Sequence, residues 1–167
     1  LAWSRGLGDV YKRQLHDFVD DFSTWYVRRS RDRVKTDEAK DALSTLKWTL
    51  REYAKVAAPF TPFISDWIWM RMREDSEEES VHLCDWGEVV EPNREILTEM
   101  SQTREVVSAA LENRARVNIK VRQPLQALYV QNKVSAAQAQ LIKEEVNVKE
   151  VIHQEGLEDS VELNTEI

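Results

Sequence analysis

The sequence predicts a mainly α-helical protein: an antiparallel helical bundle followed by a small, incomplete α/β unit. Apolar residues recur every three or four positions through most of the chain before Val117, which is the period of helices buried on one side. After Val117 that period changes to short runs of β-branched and aromatic residues, as in strands. With 167 residues and 42% hydrophobic content, the chain can bury a core of its own.

The distribution of charge favours a local basic patch over a general affinity for nucleic acid. The net charge is -7, which argues against a nucleic-acid coat over the whole surface. Residues 28–55 nevertheless contain nine basic and five acidic side chains, whereas residues 74–91 contain eight acidic ones and no lysine or arginine. Any contact with a polyanion is therefore expected in the first of these segments.

The residue content disfavours several kinds of site. Four glycines leave no place for a P-loop or a dinucleotide fingerprint, so mononucleotide chemistry is not expected in this chain. The single cysteine, Cys84, excludes an intramolecular disulfide and fits a reducing compartment, and with only His82 nearby no metal site is expected. No apolar run approaches the roughly 20 residues of a membrane span and no signal peptide is visible, so we expect a cytoplasmic protein.

Residues 1–14 differ from the rest of the chain. They hold two of the four glycines and show no steady helical period, which predicts an atypical leader that is either foreign to the protein or frayed. A first helix is expected to follow, because large apolar residues then share one helical face: Leu15, Phe18, Val19, Phe22 and Tyr26.

The end of this first helix is strongly basic. Two neighbouring rows of cations share it: Arg28, Arg31 and Lys35 on the first, Arg29 and Arg33 on the second. A guanidinium cannot lose its charge and suits phosphate or the face of an exposed base, which predicts a nucleic-acid contact. The alternative is a solvated helix face whose arginines pair with carboxylates, and spacing does not decide between the two. The carboxylates concerned are Asp32, Asp37 and Asp41.

A second helix is predicted to open near Thr36, an N-cap residue followed by the acidic Asp37 and Glu38. Lys47 and Arg51 lie on its polar side and would widen the basic surface. Trp48 lies off the apolar row, where it either packs between helices, which is favoured, or offers a partly exposed stacking surface. The predicted apolar row consists of Ala39, Leu43, Leu46, Leu50, Tyr53 and Ala57.

A rigid corner containing Pro59 and Pro62 is predicted to start a third helix, with Pro62 in its first turn. The acidic loop at residues 74–80 is predicted to be solvated and mobile, because its carboxylates repel one another and have no core to join. Residues 80–86 are expected to return to the bundle as a short extended or irregular piece. The broad apolar face of the third helix is predicted to hold Phe63, Ile64, Trp67, Ile68 and Met72.

A fourth helix is predicted from Pro92 and would complete the bundle. Arg104, Arg114 and Arg116 fall among its polar positions. Its inner row is predicted to hold Ile96, Met100, Thr103, Val107 and Leu111.

The α/β unit is predicted to begin with a strand at residues 126–131. Ser135 and Gln138 form a capping box that opens a helix through Val146. Further strands are predicted at residues 148–152 and 161–163. The chain ends at Ile167 before this unit closes, so we expect a truncated unit.

Four segments carry a family resemblance. They are residues 18–31, which contain Trp25 and Tyr26 before the arginines; residues 58–64 with two prolines; residues 80–83 followed by Trp86; and residues 118–125, which include the run Lys-Val-Arg-Gln-Pro-Leu. In this order they resemble the anticodon-binding domain of isoleucyl-tRNA synthetases, a group of class I aminoacyl-tRNA synthetases. The resemblance extends over about residues 15–167, and its first and last segments are the most specific.

The resemblance implies an organisation and a partner. It implies a helical bundle of the class I synthetase anticodon-binding type at residues 15–117, after the leader at residues 1–14, and the start of a C-terminal junction region at residues 118–167. It also implies a parent enzyme, expected to be monomeric, that joins isoleucine to its tRNA using ATP and magnesium. The class signatures His-Ile-Gly-His and Lys-Met-Ser-Lys-Ser have no match here. We therefore expect a fragment that binds isoleucine tRNA but has no catalytic residue, cofactor, DNA partner or membrane contact.

The resemblance and the basic helix together predict RNA contacts by Arg28, Arg29, Arg31, Arg33, Lys47, Trp48 and Arg51. Trp25 and Tyr26 are predicted to be buried supports of this site. Arg122 and Gln123 are predicted either to pin the junction region to the bundle or to contact RNA. Two alternatives stay open: the corresponding domain of valyl- or leucyl-tRNA synthetase, and a helical adaptor that binds protein and no RNA.

Overall fold

The computed structural model describes residues 2–37, 39–87, 89–157 and 159–164, with side chains described from residue 8 onward. The interpretations that rest on Glu38 and on the chain end at Ile167 lie outside these residues. The chain divides into two compact units, Leu1–Val89 and Val90–Ile167. The first unit is helical and the second contains a small sheet with helices, so the predicted fold class is confirmed.

The first unit opens with a helical stretch that changes its hydrogen-bonding pattern. It consists of α1 (Ala2–Asp21), a π-helical segment (Phe22–Val27) and α2 (Arg28–Arg33). Residues 2–14 are helical, although their sequence shows no steady helical period. A glycine inside a helix costs only about 1 kcal/mol, so two glycines do not interrupt a helix whose later turns are held by packing. Whether residues 1–14 are a leader foreign to the protein stays a prediction.

Two further helices, α3 (Ala39–Ala57) and α4 (Pro62–Met72), pack against each other. The predicted start of the third helix at Pro62 is confirmed. Small alanines on and after α3 let the large Trp69 ring approach closely, as dense packing of an interior requires. The core cluster comprises Ala54, Ala58, Trp69 and Val81, with Ile68 and Cys84 packed against it.

The predicted face of α4 is wrong for Phe63, Ile64 and Trp67, whereas Ile68 packs against the core cluster as predicted. Trp69, which lies outside the predicted face, is only 2% exposed, and its indole N–H donates to the Glu78 carbonyl at 2.9 Å. Phe63 is 90% exposed, and Ile64 and Trp67 are exposed as well. Apolar residues occur on all sides of α4, so the 3.6-residue period does not select a face, and contact with α3 selects it instead.

The buried positions of α3 also differ from the predicted row. Ala42, Ala54 and Ala57 are buried, whereas Leu43 is exposed. Of these buried positions, only Ala57 belongs to the predicted row. The closest approach between helices occurs where side chains are small, so the alanines and not the leucines mark the helix contact.

The acidic loop after α4 is tied to the bundle, contrary to its predicted mobility. Glu74 pairs with Lys47, and Glu77 pairs with Arg51. The Glu74 N–H donates to Glu77 Oε2 at 2.6 Å, and this backbone hydrogen bond, with a smaller contribution from Arg51, lowers the pKa of Glu77. Cations of α3 therefore neutralise carboxylates that were expected to repel one another in solvent.

Asp66 of α4 fixes the segment that follows this loop. Its Oδ1 accepts a hydrogen bond from the Ser80 hydroxyl at 2.6 Å and another from the Val81 N–H at 3.0 Å. The Ser80 hydrogen bond is the main reason that the pKa of Asp66 lies below its ordinary value. The segment contains one turn of 3₁₀-helix (Val81–Leu83), which agrees with the short irregular piece that the sequence predicts.

The second unit is a three-stranded sheet with two helices. Its elements are α5 (Arg94–Arg116), β1 (Leu125–Val130), α6 (Ala136–Val146), β2 (Val148–His153) and β3 (Val161–Asn164). β1 is the central strand, parallel to β2 and antiparallel to β3. The helices pack against each other, α5 also contacts β3, and α6 also contacts β2. The capping box of Ser135 and Gln138 is confirmed, and the three strands match their predicted bounds to within one residue.

Within this unit α5, the predicted fourth helix, packs on α6 and β3. Its buried row is Thr103, Val107, Ala110 and Arg114, whereas Ile96 of the predicted inner row is exposed. The predicted polar position of Arg114 is wrong, because this arginine is only 1% exposed. The predicted boundary after residue 117, between the anticodon-binding domain and the junction region, is not tested by these packing units. It stays a prediction.

Candidate nucleic-acid interface

The basic end of the first helix lies on α2. Arg28, Arg31 and Arg33 are exposed, and Arg29 is half-buried. The Arg28 Nε donates to the Thr24 carbonyl at 2.7 Å, which holds this guanidinium beside the helix. The Arg31 side chain makes no hydrogen bond or ion pair with any residue that the structure describes. Its guanidinium can therefore meet an external anion without first leaving a partner.

Stacked aromatic rings anchor the helix that carries these arginines. Phe18 stacks on Phe22 and Phe22 on Tyr26, with ring centroids 5.6 and 5.3 Å apart. Phe18 also stacks on Tyr53 of α3, with centroids 5.6 Å apart. The Tyr26 hydroxyl donates to the Ala42 carbonyl of α3 at 2.9 Å. Contacts at both ends of this stack hold the helix on α3, so the arginines project from a fixed base.

The π-helical segment lies directly before the arginines. A π-helix adds a residue to a turn, so it rotates the side chains that follow it relative to those that precede it. The hydroxyls of Ser23 and Thr24 donate to the Asp20 carbonyl at 3.1 and 2.6 Å, which satisfies that carbonyl where the backbone pattern changes. Trp25 and Tyr26 lie within the segment and are half-buried. Their role as supports of an RNA site stays a prediction.

Lys47 and Arg51 of α3 are each paired with a carboxylate of the loop after α4. Lys47 pairs with Glu74, and Arg51 pairs with Glu77. The Arg51 guanidinium carbon also lies 5.3 Å from the centroid of the Trp69 ring, at cation–π distance. Contact with RNA would require these pairs to break, so the geometry counts against the predicted RNA contacts of both cations, which stay predictions.

Trp48 is 64% exposed, so the favoured interpretation of this residue as a packing residue is wrong. Its ring borders a groove of about 380 Å³ between α1 and α3. Such an exposed flat ring can stack on an unpaired base, and that role of Trp48 stays a prediction. The groove is lined by Tyr11, Gln14, Leu15, Phe18, Trp48, Thr49, Glu52, Tyr53, Val56 and Phe60.

Arg122 and Gln123 lie in a turn of the second unit, at residues 120–123, shortly before β1. The Gln123 N–H donates to the Lys120 carbonyl at 3.0 Å, which closes the turn. Arg122 is exposed and, within the described part of the chain, forms no hydrogen bond or ion pair through its side chain. Whether these two residues act as structural supports or contact RNA stays a prediction.

The residue that holds this turn is Arg114, which the sequence interpretation misses. Its Nη1 donates to the Lys120 carbonyl at 3.1 Å and its Nη2 to the Asn147 carbonyl at 2.9 Å. Burial lowers the pKa of Arg114, although a guanidinium stays charged at neutral pH. Helical spacing could have indicated its burial, because Arg114 continues the row of Val107 and Ala110.

Residues 6–129 match the family described as the anticodon-binding domain of tRNA ligase. The chain belongs to this family. The matched range of the anticodon-binding domain includes every predicted RNA-contacting and supporting residue, from Trp25 to Gln123. It begins inside the predicted leader, at residue 6.

Curated relatives to which this chain is similar are isoleucine–tRNA ligases. The chain is 40% identical over 148 residues to the enzyme of Chlamydia trachomatis serovar L2, 36% over 160 residues to that of Clostridium tetani and 35% over 158 residues to that of Treponema denticola. These alignments cover 81%, 90% and 87% of this chain. They cover only 14%, 15% and 14% of the respective relatives.

In the described part of the chain, no group of three or more histidine, cysteine, aspartate or glutamate residues lies where it could hold a metal ion. Burial raises the pKa of the Cys84 thiol, which disfavours the thiolate that a metal would need. Among the described helices, none combines the length and the apolar character that a membrane-spanning segment needs.

Proposed function

We propose that this chain binds the anticodon stem and loop of isoleucine tRNA as the anticodon-binding part of an isoleucine–tRNA ligase. The observation that carries the proposal is the family match at residues 6–129, which contains α2 with its exposed arginines. Isoleucine is the proposed specificity because the relatives compared above carry that name. The arginine pair at Arg28 and Arg29 and the run at residues 120–125 also favour it over valine or leucine.

In the proposed mechanism the α2 arginines contact phosphates of the anticodon stem and loop. A guanidinium presents a planar set of donors that matches phosphate oxygens, and Arg31 can do so without losing an internal partner. The proposed phosphate contacts are Arg28, Arg29, Arg31 and Arg33. The aromatic stack on α3 supports the proposal because it fixes the helix before RNA arrives, which reduces the ordering cost of binding.

Base recognition is proposed to use Trp48. Loop bases of RNA can splay out and stack on aromatic rings, and Trp48 is an exposed ring on the helix against which α2 is held. Trp25 and Tyr26 then act as supports that position the neighbouring arginines. Lys47 and Arg51 are secondary candidates, since each must leave a carboxylate before it can bind phosphate.

The aminoacylation reaction is proposed for the longer protein to which this sequence would belong. In that protein, which we propose is a cytoplasmic monomer, a separate catalytic domain would use ATP and Mg²⁺ to join isoleucine to its tRNA. The residues described above contribute by holding one end of the tRNA, and they bind no DNA. No step of that chemistry is assigned to residues of this chain.

The test is a titration of the purified chain with transcripts of isoleucine, valine and leucine tRNAs and with bulk tRNA, followed by gel shift. We expect the isoleucine transcript to bind most tightly. Arg31→Ala should weaken binding, whereas Lys149→Ala, which removes an exposed cation on β2, should not.

The outcomes separate the proposal from its alternatives. Tightest binding to the valine or leucine transcript would assign the domain to that synthetase instead. Absence of binding to any RNA would leave the helical protein-binding adaptor, for which the exposed Phe63, Ile64 and Trp67 on α4 would be the contact surface.

A further inference from the structure

The turn at residues 120–123 lies in a part of the chain that lacks acidic residues. The protein has 30 aspartates and glutamates among 167 residues, yet none occurs from residue 113 to residue 143. Six cations fall in this interval: Arg114, Arg116, Lys120, Arg122, Lys133 and Lys143. In a chain of net charge -7, this is the longest stretch of sequence without a carboxylate. In the structure Arg116 of this stretch pairs with Glu112 and Asp159.

The backbone of the turn is held from two sides. The Lys120 carbonyl accepts hydrogen bonds from the Gln123 N–H and from Arg114 Nη1, at 3.0 and 3.1 Å. The Val121 carbonyl accepts one from Asn147 Nδ2 at 2.8 Å. Two consecutive carbonyls of a surface turn are therefore fixed by side chains from the end of α5 and the end of α6.

Arg114 and Asn147 form one connected support. Arg114 Nη2 donates to the Asn147 carbonyl at 2.9 Å, and the same carbonyl accepts from the Leu125 N–H of β1 at 3.1 Å. Asn147 has a φ of 56°, in the left-handed region that asparagine tolerates better than most residues. This conformation ends α6 and directs both the carbonyl and the side chain of Asn147 to the turn region.

The two cations of the turn contrast with their support. Lys120 and Arg122 are exposed, and neither side chain forms a hydrogen bond or ion pair with any part of the chain that the structure describes. Arg114 is buried and donates to the Lys120 and Asn147 carbonyls, so its hydrogen bonds orient the backbone of the turn region. The turn loses its conformational entropy when the chain folds, so the binding of a ligand does not have to order it.

We propose that the turn at residues 120–123 is a second phosphate-contacting element, in which Lys120 and Arg122 bind the tRNA backbone and Arg114 is their positioning residue. This inference rests on the proposed function, because it takes tRNA as the polyanion. It also changes the interpretation of Arg122: the pinning role belongs to Arg114 and Asn147, and Arg122 is the contacting side chain.

The test is a titration of the chain with isoleucine tRNA at several salt concentrations between about 50 and 200 mM. Lys120→Ala/Arg122→Ala should lower the affinity about ten-fold and reduce the slope of log affinity against log salt by roughly 1 to 2. Lys133→Ala is the matched control, since it removes an exposed loop cation of the same unit beyond the other end of β1, and its affinity and slope should equal those of the unaltered chain.

Arg31→Ala, measured in parallel, distinguishes this inference from the proposed function. If Arg31→Ala weakens binding while Lys120→Ala/Arg122→Ala changes neither affinity nor slope, the second element is refuted and the anticodon-binding role stands. If the unaltered chain binds no tRNA, the proposed function fails and this inference fails with it.

The positioning role of Arg114 is tested by a double-mutant cycle. Arg114→Met should weaken tRNA binding in the unaltered chain but cause no further loss when Lys120 and Arg122 are already alanine. An equal loss in both backgrounds would show that Arg114 acts on the fold in general.

Asn147→Gly tests the same support without removing a buried charge, because it keeps the left-handed backbone and deletes only the donor to Val121. It should reproduce part of the Arg122-dependent loss, and unchanged affinity would contradict the proposed support.

Discussion

The cations of α2 and those of α3 look equivalent in the sequence, yet the structure gives them different surroundings. Arg31 of α2 is exposed and has no partner among the described residues. Lys47 and Arg51 of α3 are paired with glutamates of the loop after α4. The difference arises because that loop folds back over α3, whereas the described chain brings no carboxylate to Arg31.

This contrast shows that a cation's availability depends on distant parts of the chain. Glu74 and Glu77 are 27 and 26 residues away from the cations with which they pair. An arginine already bound to a carboxylate must give up that contact before it can bind phosphate, so its net gain from RNA is lower by the free energy of that contact, up to about 1 kcal/mol for a surface pair. Arg31 is therefore a stronger candidate than Lys47 and Arg51, and the following predictions test the contrast in order of expected effect.

Removal of Trp69 should have the largest effect, because it takes away a buried core ring against which Arg51 of α3 lies. Trp69→Ala deletes a buried ring, its hydrogen bond to the Glu78 carbonyl and the cation–π contact with Arg51. We expect the free energy of unfolding to fall by about 3 to 5 kcal/mol, measured by urea denaturation. Phe63→Ala is the control, since this exposed ring of the same helix should cost less than about 0.5 kcal/mol. Equal losses would mean that α4 buries the other face.

Removal of Arg31 should affect binding without affecting stability. Arg31→Ala is expected to weaken isoleucine tRNA binding about ten-fold, which corresponds to about 1.4 kcal/mol. The salt slope should decrease by about 1, as for the loss of one phosphate contact. The unfolding free energy should stay within about 0.5 kcal/mol, because the side chain is exposed. Unchanged affinity and slope would remove Arg31 from the interface.

Removal of Arg51 should lower stability with little effect on tRNA binding. Arg51→Ala is expected to lower the unfolding free energy by about 1 kcal/mol through loss of its contacts with Glu77 and Trp69. Its tRNA affinity should stay within about two-fold of the unaltered chain, since the paired guanidinium contributes little to RNA binding. A ten-fold loss of affinity at unchanged stability would show that α2 and α3 form one basic surface after all.

Neutralising the loop carboxylates should leave Lys47 and Arg51 of α3 without a charged partner, as Arg31 of α2 is among the described residues. Glu74→Gln/Glu77→Gln keeps the side-chain shapes but removes the charges that hold Lys47 and Arg51. We expect the affinity for tRNA to rise about two- to three-fold at low salt, with a steeper salt dependence. The same change in an Arg51→Ala background should give a smaller rise. No rise in either background would place the α3 cations away from bound RNA.

The smallest effect concerns Asp66, which fixes the segment after the acidic loop. Its lowered pKa means that folding favours the charged carboxylate, chiefly through the Ser80 hydroxyl. This contribution to stability is present above about pH 4 and is lost as the pH falls through the lower pKa of the folded state. Denaturation at a series of pH values should show this acid-induced loss, and Asp66→Asn should reduce it. An identical pH dependence in both proteins would refute the role of Asp66.

Local sequence rules are confirmed where the deciding contacts lie within one or two turns. Pro62 begins α4 because its ring fixes φ and needs no hydrogen-bond donor in the first turn. Ser135 and Gln138 begin α6 because their side chains and backbones satisfy each other locally. The three strands and the fold class follow from periodicity in the same way.

The π-helical segment (Phe22–Val27) escapes such rules, although its residues are those that first indicate a functional helix. An amphipathic pattern predicts only that this stretch is helical, because α- and π-helical turns can bury the same aromatic residues. The stacking of Phe18 on Tyr53, a contact with another helix, is part of what holds the observed arrangement.

The sequence by itself determines most of the α-helices and the three strands in their order, the family resemblance and the position of the basic helix. The tertiary structure alone decides that Trp69 and not Phe63 is buried, that Arg114 supports a turn, and that Lys47 and Arg51 are neutralised. The physical reason is the separation along the chain of the residues that interact. Helix capping and periodicity act between near neighbours, whereas burial and ion pairing depend on which distant segments come together.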